Sequence, residues 1–262
     1  MTKGKYANVN GLEMYYEIQG KGQPLVLLHG GLGLIGMFEQ LLPTLAEGRQ
    51  VIGVELQGHG HTPDIDRPFS CEQMADDVAV LVEHLGRDKV DFMGYSLGGC
   101  VALQIAIRHP EVVRKLVLVS TPFNSDAWYP EVRAGMKGMN ADAANMMVGS
   151  PPHQAYVNAS AKPDAWTTLV TKTGQLISQD YDWSKGVASI QSPTMIVVGD
   201  ADSIRPEHTV EFFQLLGGGK RDAGWDGSQM PHSRLAVLPG TTHYNVIFSP
   251  LLAPMVTPFL DE

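Results

Sequence analysis

The fold is decided by Gly94-Tyr95-Ser96-Leu97-Gly98-Gly99, which lies between an apolar run at residues 90–93 and a segment of helical periodicity at residues 100–108. A serine in a tight strand-to-helix turn needs neighbours without a Cβ atom, because the two backbones nearly touch there. Gly94 and Gly98 meet this need. Such a turn exposes the serine hydroxyl at a helix N-terminus, where backbone N–H groups stabilise a developing oxyanion. The pattern predicts that Ser96 is a nucleophile; the alternative is a glycine-rich turn with a chance serine.

A nucleophilic serine needs a base, and the base needs an acid that orients it. Among nine histidines, His243 stands out because it follows an apolar run at residues 235–238 near the end of the chain. Two acid candidates, Asp200 and Asp202, follow another apolar run at residues 195–198. Parallel strands place such residues at one edge of an open α/β sheet, where ligands bind. The sequence therefore predicts a catalytic site with the chain order Ser, Asp, His.

The rest of the chain alternates between strands and helices, which predicts a parallel sheet with flanking helices. A hairpin at residues 6–18, with Asn10-Gly11 as its turn, precedes this pattern. Further strands are predicted at residues 24–29, 50–54, 90–95, 115–119, 194–199 and 234–238, and helices at 37–47, 71–85, 96–108, 207–216 and 244–260. The pattern breaks at residues 121–190, which we interpret as a helical cap inserted into a core of residues 1–120 and 191–262. Residues 217–233 hold five glycines and are predicted to form a long loop.

These motifs and their order resemble the α/β-hydrolase superfamily from about residue 10 to the end of the chain. The resemblance implies a mostly parallel eight-stranded sheet, flanked by helices, with an inserted helical cap. The family places its acid in a Gly-x-x-Asp motif, which selects Asp202 over Asp200. Within the superfamily, residues 69–110, Thr121-Pro122-Phe123 and Trp128-Tyr129-Pro130 look most like small bacterial carboxylesterases, some of which open acyl-homoserine lactones.

Two further stretches resemble motifs of the superfamily. His29-Gly30-Gly31 is similar to its oxyanion loop, which implies that the backbone N–H groups of Gly31 and Leu97 bind the oxyanion, with Leu32 as an alternative donor. His29 is expected to have a structural hydrogen-bonding role. Residues 55–62 resemble the stretch Asp-x-x-Gly-x-Gly-x-Ser, with Glu55 and Thr62 as replacements, and are interpreted as a structural turn. No third ligand accompanies His59 and His61, so we predict no metal site.

Composition excludes several classes of protein. The 262 residues are 44% hydrophobic and carry a net charge of −9, which disfavours nucleic acid and anionic membranes as partners. No apolar run approaches the ~20 residues of a membrane helix. The first eight residues lack the apolar core of a signal peptide, so we expect a cytoplasmic protein. Cys71 and Cys100 suit neither a disulfide framework nor a metal site.

The cap is rich in methionine and aromatic residues, a composition that suits either a plain core or an adaptable apolar pocket for an acyl chain. These residues are Phe123, Trp128, Tyr129, Met136, Met139, Met146, Met147, Trp166 and Trp183. Acidic and basic residues nearly balance there, so nothing demands a charged substrate. The oligomeric state and the identity of the residues that contact the substrate stay open.

We therefore expect a serine hydrolase that cleaves carboxylic esters or lactones with an apolar acyl group through an acyl-enzyme, without cofactor or metal. A carbon–carbon bond hydrolase uses the same three residues, but it usually needs basic residues for a carboxylated substrate. A cofactor-free perhydrolase and a ligand receptor that retains the three residues are further alternatives. A haloalkane dehalogenase is disfavoured because it would carry Asp in place of Ser96.

Overall fold

Continuous apolar runs form the central sheet in the computed structural model, which describes residues 4–262. Within this range the strands are β1 Lys5–Val9, β2 Leu12–Gln19, β3 Gln23–Leu28, β4 Arg49–Val54, β5 Val90–Tyr95, β6 Val113–Val119, β7 Thr194–Ala201 and β8 Arg234–Thr242. Their spatial order is β1-β2-β4-β3-β5-β6-β7-β8. β2 is antiparallel to β1 and β4, and the other neighbouring strands are parallel. The structure thus confirms the predicted mostly parallel eight-stranded sheet.

Helices cover both faces of the sheet. Within the described range they are α1 Leu41–Ala46, α2 Cys71–His84, α3 Leu97–Arg108, α4 Pro130–Lys137, α5 Ala141–Met146, α6 Pro151–Ala159, α7 Trp166–Ile177, α8 Ser184–Val187, α9 Pro206–Leu215 and α10 Leu252–Asp261. Alternate residues of β3 enter two different cores because side chains in a strand point to opposite faces. Val26 and Leu28 pack with α2 and α3, whereas Leu25 and Leu27 pack with α1 and α10.

Two predicted helices are shorter than expected because of proline. The first, predicted at residues 37–47, is a 3₁₀ turn at Ile35–Phe38 followed by α1. Pro43 lacks an N–H group and fits only in the first turn of a helix, so the helix begins at Leu41. The last, predicted at residues 244–260, is a 3₁₀ turn at Val246–Phe248 followed by α10. Ser249 has ψ 128°, the extended conformation that the following proline imposes.

The other predicted helices agree with the structure to within one residue, whereas β8 continues to Thr242, beyond its predicted end at residue 238. Asn10 and Gly11 have φ of 50° and 80°, as a tight hairpin turn requires. Residues 217–233 contain no helix or strand, as predicted. Helices α4 to α8 lie within residues 121–190, which we call the helical segment; its role as a cap stays a prediction. Residues 1–3, part of the stretch inspected for a signal peptide, lie outside the described residues.

Candidate active site

Ser96 occupies a strained turn between β5 and α3. Its φ and ψ are 51° and −114°, a conformation that residues with a Cβ atom rarely adopt. A Cβ atom on Gly94 would lie 2.6 Å from the backbone nitrogen of Gly99, and one on Gly98 would lie 2.6 Å from the carbonyl carbon of Leu28. The close backbone approach inferred from the sequence is therefore present, and it accounts for both glycines.

The structure brings the three predicted catalytic side chains into one hydrogen-bonded row. Ser96 Oγ lies 3.0 Å from His243 Nε2, and His243 Nδ1 lies 3.0 Å from Asp202 Oδ1. Ser96, His243 and Asp202 follow β5, β8 and β7 respectively, so the parallel sheet places all three at the same carboxyl edge, with β6 between β5 and β7. Asp202 and His243 are buried, while Ser96 is half-buried. The arrangement suits proton transfer from the serine to an imidazole whose other nitrogen is held by a carboxylate.

The carboxylate of Asp202 is fully hydrogen-bonded. Oδ1 also accepts from the backbone N–H of Ile204, and Oδ2 accepts from the hydroxyl of Ser120 and the backbone N–H of Gly199. Burial by itself would raise the pKa of Asp202, but its hydrogen bonds and the nearby His243 lower it below its ordinary value. Asp202 is therefore held as a carboxylate.

The other acid candidate, Asp200, takes no part in this row. Its side chain is exposed, and it accepts a hydrogen bond of 3.1 Å from the backbone N–H of Thr241. This hydrogen bond connects the end of β7 to the end of β8. Of the two acids, Asp202 is the one whose carboxylate lies beside the His243 ring.

Three residues that support the row were missed from the sequence. Ser120, at the end of β6, has φ 48° and is fully buried with its hydroxyl on Asp202. Tyr95 Oη donates to the backbone carbonyl of His243 over 2.7 Å, and burial raises the pKa of this phenol above its ordinary value. Trp128 meets the His243 ring edge-on at 5.3 Å. The sequence does offer one signal for Ser120, because it is a polar residue directly after a buried strand.

The two residues predicted to donate to an oxyanion lie side by side. A Cβ atom on Gly31 would be 3.9 Å from the Leu97 side chain, and both residues line the cavity that contains Ser96. Among residues 4–262, neither backbone N–H has a hydrogen-bond acceptor. Leu32, the alternative donor, also lines this cavity and has φ 58°. The free N–H groups suit an oxygen atom bound next to Ser96.

The cavity above Ser96 has a volume of about 520 Å³ and is mostly apolar. The residues of the predicted apolar set that line it are Trp128, Met136, Met139 and Trp183. The remaining members, Phe123, Tyr129, Met146, Met147 and Trp166, do not. Its charged lining residues, within the described chain, are Glu72 and Glu131, and no lysine or arginine reaches it. The cavity therefore favours an uncharged, apolar group.

His29 and the turn at residues 55–62 have structural contacts. The buried His29 ring bonds the Gly30 carbonyl through Nδ1 and accepts the Leu56 N–H through Nε2. Burial lowers the pKa of His29 to about 3, so it is neutral. Glu55 is buried and accepts from the backbone N–H of Ile35 and from the ring of His61. Both observations agree with the structural roles expected from the sequence.

Across residues 4–262, no group of three or more His, Cys, Asp or Glu side chains is arranged to hold a metal ion. None of the helices in that range combines the length and apolar character needed to cross a membrane.

The chain is similar in sequence to known hydrolases. A family model described as the alpha/beta hydrolase fold matches residues 23–147. The chain is 39% identical over 113 residues to a soluble epoxide hydrolase of Corynebacterium sp. (strain C12), a match that covers 43% of this chain and 40% of that protein. It is 38% identical over 126 residues to a pimeloyl-[acyl-carrier protein] methyl ester esterase of Neisseria meningitidis, covering 47% of this chain and 45% of that protein. The chain thus spans less than half the length of these relatives.

Other matches extend over most of the chain at lower identity. A 2-hydroxy-6-oxo-6-(2'-aminophenyl)hexa-2,4-dienoic acid hydrolase of Metapseudomonas resinovorans is 27% identical over 249 residues, covering 87% of this chain and 83% of that protein. Among solved structures, the enol-lactonase of Burkholderia xenovorans LB400 superposes with a TM-score of 0.71 at 22% identity, covering 98% of this chain and 100% of that one. The structural match supports the fold.

Proposed function

We propose, from the premise that the chain belongs to the α/β-hydrolase superfamily, that it is a serine hydrolase of uncharged carboxylic esters or lactones. The observation that carries this proposal is the hydrogen-bonded row from Ser96 through His243 to Asp202, with 3.0 Å at each step. We assign Ser96 as nucleophile, His243 as general base and acid, and Asp202 as the group that orients the imidazole.

The reaction proceeds in two acyl transfers. Ser96 Oγ attacks the ester carbonyl carbon while His243 Nε2 takes the serine proton, and the carbonyl electrons move onto oxygen. The backbone N–H groups of Gly31 and Leu97 bind this oxyanion. Collapse of the intermediate expels the alkoxide, which receives the proton from His243. A water molecule, deprotonated by His243, then attacks the acyl-enzyme carbonyl carbon. The bond to Ser96 Oγ breaks, His243 returns the proton to Ser96, and the carboxylic acid leaves.

Asp202 acts through the imidazole. Its hydrogen bond keeps the proton on Nδ1, so that Nε2 faces Ser96 with its lone pair. The lowered pKa of Asp202 keeps the carboxylate charged, and this negative charge stabilises the imidazolium that forms in each step.

The cavity supports an uncharged substrate. Its lining is mostly apolar, and its charged residues, Glu72 and Glu131, would repel a carboxylate. A carbon–carbon bond hydrolase of carboxylated ring-cleavage products is the second candidate, favoured by the similarity to the Metapseudomonas hydrolase over most of the chain. The lack of lysine and arginine around the described cavity weighs against that substrate class.

Hydrolysis of chromogenic acyl esters of increasing chain length tests the proposal, with a long-chain homoserine lactone and a ring-cleavage dienoate alongside. We expect turnover of the neutral esters that falls about 10⁴-fold or more in Ser96→Ala, with the fold retained by circular dichroism. A better rate on the lactone would assign a lactonase. Turnover of the dienoate alone, or Ser96→Ala activity equal to that of the wild type, would refute the ester hydrolase proposal.

A further inference from the structure

Lys172 in α7 binds several oxygen atoms of the loop between β4 and α2. Its Nζ atom donates to a carboxylate oxygen of Asp64 over 2.6 Å and to the backbone carbonyls of Ile65 and Arg67 over 3.1 and 3.0 Å. Nζ also lies 5.4 Å from the centre of the Phe69 ring. An ammonium group carries three N–H donors, so this one loop satisfies all of them.

Lys172 is the polar anchor of α7 on the core. Among residues 4–262, it makes every hydrogen bond that joins α7 to a residue outside the helical segment. The side chains of Lys172 and Asp64 are 21% and 23% exposed, so solvent screens this ion pair only in part. The loss of the ammonium group would leave α7 with apolar contacts alone to the core.

Helix α7 forms one wall of the candidate active-site cavity. Thr173, Leu176 and Ile177 line the cavity and follow Lys172 closely along the helix. The methyl group of Thr173 lies 3.4 Å from the position that a Cβ atom on Gly31 would take, so this wall adjoins a proposed oxyanion donor. Two of the three lining side chains are large and aliphatic, which suits contact with an acyl chain.

The loop that binds Lys172 leads into a second wall of the same cavity. It ends at the start of α2, where Cys71 and Glu72 line the cavity. Lys172 thus joins the α7 wall to the α2 wall. Charge-assisted hydrogen bonds are short and directional, so they fix the separation of these walls more closely than apolar contacts, which have no directional preference.

We propose that Lys172 is a positioning residue, which clamps α7 to the loop before α2 and thereby selects substrates by acyl-chain length. The inference rests on the proposed hydrolysis of esters or lactones and deepens it. With the clamp closed, a long apolar chain contacts both walls at once. Without the clamp, α7 also occupies positions farther from the loop, and the chain loses contacts that it makes in the ground state and the transition state alike.

The test is Lys172→Met, which keeps the aliphatic stem beside Phe69 and removes the ammonium group. We expect kcat/KM on long-chain chromogenic esters to fall about 10-fold, with most of the loss in KM, because the binding-competent position of α7 becomes a minor state. An acetate ester is too short to contact both walls, so its kcat/KM should change by less than about 2-fold. A residue that only supports the fold would lower the rates on short and long chains alike.

Three further variants serve as controls. Lys172→Arg keeps the charge and should stay closer to the wild type than Lys172→Met on long chains, although a planar guanidinium matches the three oxygen atoms less well. Lys185→Met changes an exposed lysine of the same helical segment and should leave the chain-length profile unchanged. Asp64→Asn, combined with Lys172→Met, should add little to the loss in the single variant, since both substitutions break one ion pair.

Hydrogen exchange gives a readout that needs no substrate. The backbone amides of α7 should exchange faster in Lys172→Met than in the wild type, while those of α3 should be unchanged. If the methionine variant does not fold, Asp64→Asn carries the same tests, because it removes the charged partner and leaves the two carbonyl acceptors in place.

Equal losses on acetate and long-chain esters in Lys172→Met, or a chain-length profile equal to that of the wild type, would overturn the inference. Failure of the proposed function is distinguishable from this result. A wild-type protein that neither turns over neutral esters nor releases one equivalent of chromophore from an activated ester in a rapid burst would refute both. A wild-type protein that hydrolyses esters, with an unchanged profile in the methionine variant, would refute the role of Lys172 alone.

Discussion

Ser120 combines a functional hydrogen bond with backbone strain, and two substitutions separate these effects. Ser120→Ala and Ser120→Gly both remove the hydroxyl that donates to Asp202 Oδ2. Loss of a buried hydrogen bond to a charged group costs about 1.5–3 kcal/mol. The backbone φ of 48° costs a residue with a Cβ atom roughly 1–2 kcal/mol, and glycine does not incur this cost. We therefore expect the glycine variant to be more stable than the alanine variant by about 1 kcal/mol.

The activity of the two variants should fall equally, because both leave Asp202 with the same missing donor. Without the Ser120 hydroxyl, the pKa of Asp202 rises and the carboxylate attracts the His243 proton more strongly. The acid limb of the kcat/KM profile should therefore move to higher pH in both variants. Urea denaturation gives the stabilities, and ester hydrolysis between pH 4 and 9 gives the profile.

The stability difference from the wild type also depends on pH. A lowered pKa in the folded state means that Asp202 stabilises the wild type above about pH 4, and that this contribution is lost as the pH falls through the folded pKa. The difference in the free energy of unfolding between the wild type and either variant should therefore decrease at acidic pH. Equal stabilities of the alanine and glycine variants would contradict the strain argument. An unmoved pH profile would contradict the role of Ser120 at Asp202.

Three other predictions test separate parts of the structure, two of them with a matched control substitution. Asp202→Asn should lower kcat by about 10⁴-fold, whereas Asp200→Asn, two residues away, should stay within about 3-fold of the wild type in the same ester assay. Gly98→Ala should lower the urea midpoint sharply or prevent folding, because the added Cβ would collide with the backbone at the end of β3. Gly135→Ala is the control: a Cβ at this position of α4 meets no other atom, so the free energy of unfolding should rise by about 0.5–1 kcal/mol. Glu131→Gln should raise kcat/KM for a carboxylated ester about 5-fold relative to a neutral one, and an unchanged ratio would contradict charge exclusion.

Sequence patterns predict most of the fold because its strands are marked by local signals. Each central strand is a continuous apolar run, as expected for a strand covered on both faces. The candidate site could be predicted for the same reason, since Ser96, Asp202 and His243 each follow such a run and parallel strands bring their ends together. The two helices with wrong bounds show the limit of periodicity, because Pro43 and Pro250 set where the helices can begin, whereas Pro258 is accommodated inside α10.

The unpredicted residues depend on tertiary contacts that leave no motif. Ser120 resembles any serine after a strand until β7 places Asp202 beside it. Thr173 is one of several threonines in an amphipathic helix, and only the packing of α7 places its methyl group beside Gly31. Glycine turns and strand ends are encoded within a few residues. Hydrogen-bond partners that come from distant parts of the chain can be identified only once the sheet and the helical segment are assembled.

The sheet and the helical segment contribute different residues to the candidate site. The sheet places Ser96, Asp202 and His243 at strand ends whose backbones are hydrogen-bonded to other strands. The helical segment places Trp128 against His243 and the methyl group of Thr173 beside Gly31, so it adjoins both the proposed base and a proposed oxyanion donor. Substitutions in the helical segment are therefore expected to change kcat as well as substrate choice, because its side chains adjoin the reacting atoms.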